Sequence, residues 1–129
     1  MHFGVWHPIS EASTAAPEAA GVLQTRAEGV MDYRAGRSAM VLYACSDPGE
    51  TLRGYVAGRG ARDLDRAISA GARWIRFAAT PNPRPELDRL LEGFVERFGS
   101  PPISNSAATR REPAAAGRRG AVKGEEEPR

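Results

Sequence analysis

The feature that most constrains this chain is a break in composition after Asn105. Beyond it, SAATRREPAAAGRRGAVKGEEEPR holds no aromatic residue and one large aliphatic, Val122. A stretch of Ala, Gly, Arg, Glu and Pro cannot bury enough apolar area to offset its chain entropy. The expectation is one domain over residues 1–105, with 1–16 as an N-terminal extension, followed by a disordered tail over 106–129. Charge divides at the same point. Residues 1–105 carry twelve basic and twelve acidic side chains, so the net +2 belongs to the tail, six basic against four acidic. Within the tail Arg110, Arg111, Arg118, Arg119 and Lys123 precede Glu125, Glu126 and Glu127. That pattern reads as a solvated appendage or as a weak arm for an anionic partner. A neutral domain has no overall electrostatic drive toward nucleic acid or membrane.

Cys45 is the sole cysteine, which excludes an intrachain disulfide and a cysteine-built zinc site. The opening MHFGVWHPIS lacks a basic region followed by an apolar one, and no run reaches the roughly 18 apolar residues of a membrane span. A cytoplasmic protein without membrane contact is the expectation.

Within the domain the hydrophobic pattern places the elements. Residues 11–20, EASTAAPEAA, read as a connection, and GVLQTRA from Gly21 as a short strand. EGVMDYRAGRS, residues 28–38, reads as a loop or irregular hairpin connection. MVLYAC, Met40 to Cys45, is a continuous apolar run suited to a strand buried on both faces. A helix follows over about 48–57, capped by Ser46 or Asp47 with Pro48 in its first turn, and another over about 61–70 ended by Gly71. ARWIRFAAT alternates as a strand with Trp74, Arg76 and Ala78 on one face and Ile75, Phe77 and Ala79 on the other. From Glu86 to Phe98 the residues Leu87, Leu90, Leu91, Phe94, Val95 and Phe98 make a broad apolar helical stripe. The order β-β-α-α-β-α predicts an α/β (α+β) domain with a small three-stranded mixed or antiparallel sheet flanked by helices.

That order, with the residues it carries, resembles the GIY-YIG nuclease family over about residues 17–105. Gly21-Val22-Leu23 stands where the family's first triplet would be and Tyr43-Ala44-Cys45 where its second would be. Glu92 stands at the place of the family's metal-binding glutamate, and Pro101-Pro102-Ile103-Ser104-Asn105 resembles its closing segment. The resemblance implies divalent-metal-dependent phosphodiester hydrolysis of DNA or RNA, with Mg or Mn held by Glu92. It implies Tyr43, Arg53, Glu92 and Asn105 as site residues. The family's arginine falls on Arg53 by count from the triplet and on Tyr55 by hydrophobic register. Leu23 replaces the first tyrosine and Cys45 the second triplet's glycine, so the motif is degenerate. Leucine cannot activate water, and general-base help is worth about 10²–10⁴-fold. The expected function is a nucleic-acid-associated domain with impaired endonuclease chemistry. The alternative is a non-enzymatic protein-interaction module that keeps only the fold. A homodimer through the Phe94/Phe98 helix or a free sheet edge is compatible with either.

Other residues have plainer readings. Trp6 and Phe3 read as an extension packed on the sheet, and His7 lacks the companions of a metal ligand. Cys45 has no nearby His and reads as a small buried residue. Arg53, Arg59, Arg62, Arg66, Arg73 and Arg76 crowd one stretch, either as a phosphate-binding face or as partners of Glu50, Asp63 and Asp65.

Overall fold

The computed structural model describes residues 1–105. The tail over 106–129, with its separated charges, lies outside the described residues. A mixed α/β fold is built on one antiparallel sheet. Its strands are β1 (His7–Pro8), β2 (Gly21–Tyr33), β3 (Gly36–Cys45) and β4 (Ala72–Ala79), in the order β1-β4-β2-β3. The helices are α1 (Ala12–Ala15), α2 (Leu52–Ala57), α3 (Ala61–Ser69) and α4 (Pro83–Phe98), and a 3-10 turn, Ile9–Glu11, precedes α1.

The sheet has four strands rather than the three expected. The fourth is the two-residue β1, whose His7 and Pro8 pair with Ile75 and Trp74 of β4. Two residues are too short to leave a periodic signal. Gly4 continues the contact, donating its N–H to the Phe77 carbonyl at 2.9 Å. Of the two readings of segment 28–38, a loop or an irregular hairpin connection, the structure has the hairpin. β2 and β3 extend through it as a hairpin in which Tyr33 pairs with Gly36 around Arg34-Ala35. Those two residues lack the Asn-Gly or Asp-Gly signal of a tight hairpin. The hairpin tip is held from elsewhere, with Ala35 donating its N–H to the Phe98 carbonyl at 2.8 Å. The Tyr33 hydroxyl donates to the Met40 carbonyl at 2.5 Å and accepts from the Ile103 N–H at 3.1 Å.

Two cores flank the sheet. On one side Leu23, Leu42, Ala44, Ile75 and Phe77 meet Leu52, Tyr55, Val56, Leu64 and Ala67 of α2 and α3. On the other Val22, Tyr43 and Cys45 meet Leu87 and Phe94 of α4. A β-bulge explains an irregularity in this alternation. Leu42 lies opposite Thr25 and Met40 opposite Arg26, which leaves Val41 as the extra residue. Val41 and Leu42 then share the first core, as a bulged pair can.

Helix boundaries shift for local reasons. Residues 47–50 form a turn, with the Glu50 N–H bonded to the Asp47 carbonyl and Gly49 at φ +84°. α2 therefore starts later than expected. Thr51 is its cap, and its hydroxyl accepts from the Gly54 N–H at 3.0 Å. Ser46 serves β2 instead, accepting the Gly21 N–H at 3.0 Å. α4 starts earlier, at Pro83, because proline fits the first helical turn, where its missing N–H leaves nothing unpaired. It ends at Gly99, whose φ of +84° is the left-handed conformation of a helix terminus.

One core group lacks a partner. The Thr25 hydroxyl is fully buried and makes no hydrogen bond among the described residues. Thr25→Val keeps the shape and removes the orphan, so it should raise the unfolding free energy by about 1 kcal/mol in urea titrations. A loss of stability would show that the hydroxyl is satisfied.

Candidate functional site

The four residues implied by the resemblance divide into a linked set and an outlier. Asn105 and Tyr43 are joined directly. The Asn105 carboxamide accepts the Tyr43 N–H through Oδ1 at 2.8 Å and donates through Nδ2 to the Tyr43 carbonyl at 2.8 Å. It thus pairs with β3 as the peptide group of a neighbouring strand would. Glu92 and Asn105 share a groove of about 710 Å³ beside α4, which Asp88, Leu91, Glu96 and Pro101 also line.

Arg53 stands apart. It projects from α2, on the opposite side of the sheet from α4, and is engaged there. Its Nε donates to the Ala16 carbonyl at 3.0 Å, Nη1 to Glu18 at 3.0 Å and Nη2 to the Thr14 carbonyl at 3.3 Å. These bonds strap α1 and the segment after it onto α2. Tyr55, the other candidate for the same role, is buried in that core with its hydroxyl bonded to Asp63 at 2.6 Å.

Tyr43 is linked to Asn105 through its backbone, while its ring turns into the α4 core. The ring is 7% exposed and meets Phe94 edge-on at 5.6 Å between centroids. Burial pushes its hydroxyl up to about 12; Arg76 pulls it down and Tyr33 pushes it up by lesser amounts. A phenol protonated at neutral pH is a hydrogen-bond donor and not a base. Leu23 lies in the other core, so positions 23 and 43 face opposite sides of the sheet. A tyrosine at position 23 would therefore not meet Tyr43.

The donor set does not fit a protein-built metal site. Among the described residues no three His, Cys, Asp or Glu side chains converge on a point that could hold an ion. Glu92 is exposed on α4, between Asp88 and Glu96 one turn away on either side. Cys45 is buried, and burial pushes its thiol up, which keeps it unreactive.

Three of the six crowded arginines are held in ion pairs. Arg53 meets Glu18, Arg59 meets Asp47 and Glu50, and Arg66 meets Asp63. Arg76 differs. It rises from β4 on the α4 side of the sheet, and its Nε donates to the Gln24 carboxamide at 2.8 Å. Beside it stands Arg26 of β2. Both guanidinium carbons lie 4.5 Å from the centre of the Trp6 ring, and that of Arg76 lies 4.8 Å from the Phe3 ring. The extension expected to pack on the sheet therefore does so through these two arginines. Trp6 and Phe3 were legible as candidates for packing, but nothing in their spacing pointed to Arg26.

The tyrosines also set an alkaline limit. Burial raises Tyr33, Tyr43 and Tyr55 alike, and the hydroxyl bond to Asp63 adds to the shift of Tyr55. Below pH 10 they are protonated whether the chain is folded or not. Above it the unfolded chain releases protons that the folded chain keeps, so stability falls as pH rises from 10 through about 12, where Tyr43 itself titrates. Denaturant midpoints measured between pH 9 and 11 should decline only above about pH 10. A flat profile would show the hydroxyls to be accessible.

No protein-family model, curated protein or solved structure matches this chain.

Proposed function

We propose that this chain is a nucleic-acid-associated domain of GIY-YIG-like build that binds its target without cutting it. From Gly21 onward the elements run β2, β3, α2, α3, β4, α4, which supports the likeness in order. The observation that carries the absence of cutting is the division of positions 23 and 43 between two cores, with the Tyr43 ring buried against Phe94. Arg53, the candidate for stabilising charge on a phosphate, is committed to Thr14, Ala16 and Glu18 on the far side of the sheet. Association with nucleic acid is supported by Arg26 and Arg76, which have no carboxylate within ion-pair distance among the described residues.

The test pairs cleavage with binding. Labelled DNA and RNA oligonucleotides are incubated with the protein and with Glu92→Ala, in magnesium and in manganese. Binding is followed by fluorescence anisotropy. The expected result is binding by both proteins and strand cleavage by neither. Cleavage by the unaltered protein that disappears in Glu92→Ala would restore the endonuclease reading. Absence of binding to any oligonucleotide would favour a protein-interaction module.

A further inference from the structure

The two arginines on the α4 side of the sheet stand side by side on one aromatic ring, that of Trp6. Arg37, Arg53, Arg59, Arg66 and Arg89 each have a carboxylate partner. Arg26 and Arg76 have none among the described residues, and burial first, then to a lesser extent the neighbouring Arg26, disfavours the charge on Arg76. The Nε of Arg26 is buried without a hydrogen-bond partner. A buried, unpaired donor costs about 1–3 kcal/mol, and more when charged. Two like charges side by side add to that cost. An anion that accepts from both guanidinium groups would offset the repulsion between them.

We infer that Arg26 and Arg76, stacked together on Trp6, bind a backbone phosphate of a nucleic-acid strand. Each guanidinium presents a planar fork of donors that matches two phosphate oxygens. The forks are fixed in place. Arg26 and Arg76 stand on neighbouring strands, paired with Trp74 and Gln24 respectively, and Gln24 holds the Arg76 Nε. Trp6 and Phe3 exclude water from one side of the cations, which strengthens their pull on an anion. Both arginines remain half-exposed, so a phosphate can reach them. The Tyr43 hydroxyl, protonated at neutral pH, faces the same side and repels nothing negative. This inference rests on the nucleic-acid reading above and gives it a location.

The test uses the full chain and short single-stranded DNA and RNA. Arg26→Gln and Arg76→Gln keep most of the side-chain stem and remove the charge. The double variant should lose about tenfold or more in affinity. Its slope of log affinity against log salt should fall by about 1 to 2. Arg37→Gln, in an exposed ion pair at the hairpin tip, should change neither. The tail is present in every variant, so these differences report on the sheet. If the unaltered protein binds and the double variant binds equally with the same salt slope, the site is wrong while the nucleic-acid reading stands. If the unaltered protein binds no oligonucleotide, both fail. Should the double variant not fold, Trp74→Phe leaves Trp6 as the one tryptophan. Its fluorescence should then change as oligonucleotide binds, and unchanged emission in a bound complex would overturn the site.

Discussion

Gly21→Ala is expected to cost about 3 kcal/mol or more of stability, a large change for a methyl group at the start of a strand. A Cβ at position 21 would lie 2.2 Å from the Ala78 carbonyl oxygen and 2.8 Å from a methyl of Leu52. The first of these is backbone in the central part of the sheet and cannot swing away. Moving β2 aside would also break the bonds of the Gly21 N–H and carbonyl with Ser46. Guanidinium chloride unfolding measures the loss. Gly93→Ala is the matched control. It lies within α4, where an added Cβ meets nothing within 4 Å. There the same substitution should raise stability by about 0.5–1 kcal/mol, through helix propensity alone. Equal effects at both positions would show that the close approach at Gly21 is not real.

Phe94→Ala should cost about 3–5 kcal/mol. Phe94 is the hub of the α4 core, with ring centroids 5.0 Å from Tyr33, 5.6 Å from Tyr43 and 4.5 Å from Phe98. Removing it opens a cavity bordered by three aromatic rings and admits water toward the Tyr43 ring. The burial that pushes the Tyr43 hydroxyl up to about 12 is then relieved. Its titration, followed by phenolate absorbance, should move down toward the ordinary value of about 10. A folded Phe94→Ala protein whose tyrosines titrate unchanged would mean that Tyr43 is buried by something other than α4.

Much of this architecture is written in hydrophobic period. The apolar run of β3, the alternation of β4 and the stripe of α4 each announce their element, because burial imposes a repeat on one face. Burial fails as a guide where an element is exposed. Residues 28–30 and 34–37 are solvent-facing, so the outer half of the hairpin leaves no apolar alternation, although Tyr33 and Phe98 hold it in place. Helix ends depend on individual hydrogen bonds. Ser46, Asp47 and Thr51 are all suitable caps by type, and the turn at Gly49 decides among them. The site was less legible for a related reason. Asn105 and Tyr43 lie 62 residues apart and meet through a side chain and a backbone, a contact with no sequence pattern. The pairing of Trp6 with Arg26 and Arg76 likewise depends on the N-terminal segment folding back along β4. Positions 23 and 43 do carry a simple signal. With Leu23 opposite Ala44 and Gln24 opposite Tyr43, strand pairing alone sends Leu23 and Tyr43 to different faces.

The carboxamide of Asn105 has a further consequence for how the molecule keeps to itself. A sheet's outer strand offers a row of unsatisfied peptide groups to any other extended chain, and such rows seed aggregation. At Tyr43 that offer is withdrawn, because one side chain occupies both the donor and the acceptor. At the opposite margin Gly4 and β1 do the same for β4. Two segments distant in sequence thus act as stoppers on the two margins of a single sheet. Shortening the chain at either place would remove little from the cores, yet it would free those peptide groups for pairing with another extended chain.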